Sequence, residues 1–74
     1  MNASSNWIDE VLRLNTHIIV AQAVVRAQAA TIGELMEAGE DTAEAEAQHR
    51  AYLTVLRRLR AGRDTLLDEI KDEA

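Results

Sequence analysis

Glu46-Ala47-Gln48-His49 sets a carboxylate and an imidazole three residues apart, and on a helix that spacing puts both on one face. It is the pattern with which helical bundles hold a pair of metal ions, each of two helices giving a Glu-x-x-His and each of two others a Glu. If the chain turns back on itself at Gly39 and Glu40, Glu34 comes opposite Glu46, and two copies would supply the whole ligand set. Glu34, Glu46 and His49 are therefore the metal-ligand candidates. Their position near the turn works against them, because a two-fold axis near mid-length, around Gln22 and Arg58, would hold the two half-sites apart. Glu-x-x-His also arises readily in any Glu-rich helix. The plainer expectation is no metal and no cofactor, with His49 at the edge of a helical seam, bonded to Thr31 or Glu46.

Arg57, Arg58, Arg60 and Arg63 form the one basic cluster. At about 100° per residue these side chains fan around a helix instead of lining one stripe, which suits a continuous phosphate backbone poorly. A solvated, ion-paired surface is the simpler reading, with Arg60 pairing Asp64 at i+4 and Arg63 reaching across to an acid on a neighbouring helix. Glu34, Glu37, Glu40, Asp41, Glu44 and Glu46 surround the turn with no Lys or Arg between Arg26 and Arg50. Such a tip can dock a basic partner or hold a divalent cation weakly, and more simply it keeps the turn solvated and serves the cap of the helix that follows. His17 falls level with Arg63 and Asp64, so a His–Asp contact across the hairpin is expected. Ser4 and Ser5 are remote from both His residues, and no glycine-rich phosphate loop is present. No catalytic residue is assigned, and the chain is read as non-enzymatic.

The elements that position these residues must be helices. The chain has 74 residues, no Pro, no Cys, three Gly and only 3% aromatic residues, a composition that favours long uninterrupted helices. Without Cys there is neither a disulfide nor a thiolate metal site to reinforce so small a core, which leaves association as the natural supplement. The net charge of −5 opposes long-range attraction to nucleic acid or anionic membrane. Met1 to Asn6 carries no positive charge, and no apolar core follows it before Asp9 and Glu10, so no secretory signal is read. The apolar middle of the first helix is broken by Gln22, Arg26 and Gln28 and falls short of an uncharged membrane span. A soluble, cytoplasmic protein without membrane contact is expected.

Residues 1–5 read as a flexible leader and 6–74 as a single helical-hairpin domain. Asn6 fits an N-cap, followed by Trp7, Asp9 and Glu10. Val11, Ile18, Val25 and Ile32 then occupy one heptad position, and Trp7, Leu14, Ala21, Gln28 and Leu35 the other. Gly39 ends this helix, and Asp41-Thr42-Ala43-Glu44 matches a capping box for the next, with the Asp41 carboxylate accepting from the Glu44 amide. The second seam runs through Ala45, His49, Tyr52, Leu56, Leu59, Arg63, Leu66 and Ile70. The result is an all-α antiparallel hairpin with helices over about 7–38 and 42–71, the short turn forcing the two to be neighbours. Folding it pairs Leu35 with Ala45, Gln28 with Tyr52, Val25 with Leu56, Ala21 with Leu59, Leu14 with Leu66, and Val11 with Ile70. A Gln28–Tyr52 hydrogen bond would satisfy both groups in the seam and fix its register.

That seam leaves Ile8, Leu12, Ile19, Val20 and Val24 on the first helix, and Leu53, Val55 and Leu67 on the second, without cover. Monomers rarely show water so long an apolar strip. These eight residues are the expected oligomer interface, and a homodimer in which two hairpins make a four-helix bundle is the simplest closure. A different protein covering the same strip is the alternative.

Asn6-Trp7-Ile8-Asp9-Glu10-Val11-Leu12-Arg13-Leu14-Asn15, then His17-Ile18, Ala38-Gly39-Glu40-Asp41-Thr42-Ala43 and Arg63-Asp64 before Leu66, resemble a group of short helical-hairpin proteins of alphaproteobacteria. The resemblance spans nearly the whole chain but rests on capping and packing residues. It implies a bacterial, cytosolic hairpin and carries no active-site residue across. The Ile18 to Val25 segment departs from the group in being unusually apolar. In architecture alone the chain also resembles the small plasmid RNA-binding hairpin dimers of the Rop type, for which Arg57, Arg58 and Arg60 would be the phosphate contacts.

Overall fold

A computed structural model describes residues 3–73, with side chains over 6–72. Two helices, α1 (Ala3–Glu37) and α2 (Ala43–Glu73), pack antiparallel against each other, and no strand occurs among the described residues. The molecule is a rod measuring 56 × 17 × 13 Å, so each helix meets a single neighbour along its length.

The turn forms from the residues that the sequence marks for it. Gly39 adopts φ 70°, a left-handed conformation that costs a residue with a Cβ about 1–2 kcal/mol. Its N–H bonds to the Met36 carbonyl at 3.1 Å, and the Glu40 N–H bonds to the Leu35 carbonyl at 2.9 Å. Together these two bonds make a Schellman motif that satisfies carbonyls left over at the end of α1. The start of α2 differs from expectation by one residue. The Asp41 carboxylate accepts from the Ala43 N–H at 3.0 Å, not from Glu44, and the Thr42 carbonyl takes the first intrahelical bond, from the Glu46 N–H at 2.8 Å. Thr42 therefore holds the cap position, and Asp41 makes an Asx-turn just ahead of it.

Helix α1 also begins earlier than the Asn6 cap implies. It runs through Asn6 from Ala3, because no Pro or Gly precedes Asn6 to break it. Of the expected leader, Met1 and Asn2 lie outside the described residues, as does Ala74 at the other end of the domain.

The heptad frame of α1 is the seam. Trp7, Val11, Leu14, Val25, Gln28, Ile32 and Leu35 are half-buried, and Ile18 and Ala21 are buried. Leu56 is their counterpart on α2, with Val25 and Leu59 packed against the three. The cluster brings together Ala21, Val25, Leu56 and Leu59, the four residues of the two expected central pairs. Among the described residues only Ile18 (3% exposed), Ala21 (3%) and Leu56 (5%) leave solvent almost completely. Two helices enclose a line of contact, not a volume, so most seam residues keep one side in water.

Candidate interaction surface

With a seam this thin, the apolar residues outside it decide what the chain can do. Ile19 is 65% exposed, Leu12 59% and Val20 56%, and Ile8, Val55, Leu67, Met36 and Tyr52 are exposed as well. Val24 and Leu53 are half-buried.

These residues divide between the two open flanks of the hairpin and do not form one strip. At about 100° per residue, Ile8, Leu12 and Ile19 fall on one side of the α1 seam and Val20 and Val24 on the other. On α2, Leu53 and Leu67 go with the first flank and Val55 with the second. Two groups of contacts identify the flanks. On the first, Arg63 Nη1 donates to Asn15 Oδ1 at 3.2 Å, and Arg63 Nε lies 3.5 Å from Asp64 Oδ1. On the second, Val24, Ala27, Gln28 and Thr31 of α1 line an open groove of 240 Å³ with Ala45 and Gln48 of α2.

The polar seam contacts expected from the sequence are replaced by others. Gln28 does not bond to Tyr52: Gln28 Oε1 is buried without a hydrogen-bond partner among the described residues, and Tyr52 is 38% exposed. A phenol can bury part of its ring and keep its hydroxyl in water, so Tyr52 needs no partner within the seam. His49 Nδ1 is likewise buried without a partner. Thr31, one expected partner of His49, instead donates to the Ala27 carbonyl of its own helix at 3.1 Å. His17 is exposed and stands on the grooved flank, whereas Asp64 lies with Asn15 on the other, so the expected His17–Asp64 contact is not made. Asp64 pairs with the adjacent Arg63 instead of Arg60. Arg63 does reach across the hairpin, to an amide instead of an acid. Arg57, Arg58 and Arg60 are exposed.

Glu34 and Glu46 are both exposed and His49 is half-buried. Glu34 falls on the grooved flank and Glu46 on the opposite one, so the hairpin separates the two carboxylates that its register brings level. Among the described residues no three His, Cys, Asp or Glu side chains are grouped closely enough to hold a metal ion.

The composition of α1 also suits a different environment. Within Asn6–Glu37 the helix is long and apolar enough to cross a membrane by length and composition. The interruption at Arg26 shortens the strictly uncharged run, but a single charge still fits within a spanning length. Only 11% of the apolar 18-residue window within it is buried inside the hairpin. The same pattern belongs to a soluble helix that packs on a partner.

No protein-family model matches the chain, and no curated protein or solved structure does.

Proposed function

We propose that the chain is a small, non-enzymatic interaction or regulatory module that works by homodimerisation, two hairpins closing into a four-helix bundle in the cytoplasm. One observation carries this reading: among the described residues three are buried while eight large apolar residues stay exposed. A hairpin with so little core gains little from folding alone, and association is the supplement its composition leaves open. The heptad seam supports a soluble bundle, because α2 carries charged residues around its outer side and would not accompany α1 into a bilayer. Sedimentation equilibrium tests the reading. A dimer at micromolar concentration is the expected result, and a monomer overturns it.

The exposure of α1 favours a second reading, in which this helix inserts into a membrane. Flotation with neutral phosphatidylcholine vesicles separates the two. A protein that stays at the bottom of the gradient as a dimer supports the soluble bundle, and one that floats supports insertion.

A further inference from the structure

We infer that the second copy sits on the grooved flank, tips opposed, so that Val24 meets Val24 and Val55 meets Val55 across a two-fold axis; this rests on the homodimer reading and adds its face and orientation.

The choice of flank follows from where the charges lie. On the grooved flank α1 presents His17, Val20, Val24, Ala27 and Thr31 between Arg13 and Glu34, a run without a carboxylate or a Lys or Arg; on α2 the same side carries Val55 and, farther from the seam, the exposed Arg58, which a two-fold axis through Val55 sets against Tyr52 and not against its own copy. The opposite flank sets Arg26, Arg57 and Arg60 among its apolar residues, all exposed. A two-fold axis at mid-length there would bring Arg57 against its own copy, and like charges facing each other oppose association. On the grooved flank the same operation superposes valines. An isologous interface must be self-complementary in this sense.

Orientation follows from the ends of the same run. With both tips together, the acidic residues around the turn would crowd their own copies. With tips opposed about Val24, Arg13 of one copy comes level with Glu34 of the other, and Val20 comes level with Gln28. His17 of the second copy then arrives at the groove lined by Gln28, Thr31 and Gln48.

The chain has no Cys, so single cysteines report contacts cleanly. In the full chain under mild oxidation, Val24→Cys should cross-link to itself and Ile19→Cys should not. A mixture of Arg13→Cys and Glu34→Cys should give the mixed disulfide, and Glu34→Cys alone none. Cross-linking through Ile19→Cys in a protein that sediments as a dimer would overturn the face while leaving the dimer intact. Cross-linking of Glu34→Cys to itself would overturn the orientation. A monomer by sedimentation would overturn the homodimer and this inference together. Circular dichroism of each variant confirms that it is still helical.

Discussion

Arg63 ties α2 to α1 through Asn15, its Nη1 donating to Asn15 Oδ1 at 3.2 Å while its Nε lies 3.5 Å from Asp64 Oδ1. The guanidinium is about a third exposed and the Asp64 carboxylate about two thirds, so the two contacts differ in worth. A partly buried hydrogen bond from a charged donor resists competition from water, whereas an ion pair in solvent is screened. Asn15→Ala should therefore lower stability by about 1 kcal/mol. Asp64→Asn should change it by less than about 0.5 kcal/mol. Thermal melts at one fixed protein concentration check both, and an equal loss from the two variants would refute the ranking.

The turn makes a separate demand. Gly39 sits at φ 70° and a Cβ there would meet nothing within 4 Å, so the cost of Gly39→Ala is conformational and not steric. The variant should lose about 1 kcal/mol. Asp41→Ala removes the bond to the Ala43 amide and should lose about 0.5–1 kcal/mol, the usual range for a side chain that satisfies a helix N-terminus. Urea unfolding followed by circular dichroism measures both.

Among the described residues of α2, Leu56 alone belongs to the buried core, in one cluster with Ile18 and Ala21. Leu56→Ala should cost about 2–4 kcal/mol, the range for emptying a buried leucine site, and in so thin a hairpin most of the helical signal should be lost at room temperature. Val25→Asp should have the same outcome, because it places an unpaired charge in the seam. Ile19→Ala, at an exposed position, should stay within about 0.5 kcal/mol. Far-ultraviolet circular dichroism separates the two classes directly.

The seam was legible in the sequence because a heptad repeat carries its own geometry: each frame position on α1 from Trp7 to Leu35 is buried or half-buried. The turn was legible for a similar reason, since Gly39 and the Asp41-Thr42 pair carry strong local preferences. What the repeat does not carry is the side to which a residue leans. Ile19 and Val20 are neighbours in sequence and both exposed, yet they fall on opposite flanks, so eight apolar residues read as one strip belong to two. Polar partnerships were least legible. Gln28 and Tyr52 share a level, but the choice between a mutual bond and an exposed phenol turns on rotamers and neighbouring side-chain size, which spacing does not encode.

Gly33 and Gly62 give the last test, because each lies within a helix and neither would bring a Cβ within 4 Å of anything inside the hairpin. On helix propensity alone both Gly→Ala variants should gain about 1 kcal/mol. They part company where the second copy sits. Gly33 lies on the flank with Ile19, and Gly62 lies on the grooved flank, level with His17. With tips opposed, Gln48 of the second copy comes over Gly62, where a hydrogen in place of a methyl lets the helices approach. Gly33→Ala should therefore raise the melting temperature at every protein concentration. Gly62→Ala should raise it at low concentration and raise it less, or lower it, where the dimer dominates, because a variant that weakens association loses the stabilisation that mass action confers on the folded state. A parallel gain from both variants across the concentration range would place the second copy away from Gly62.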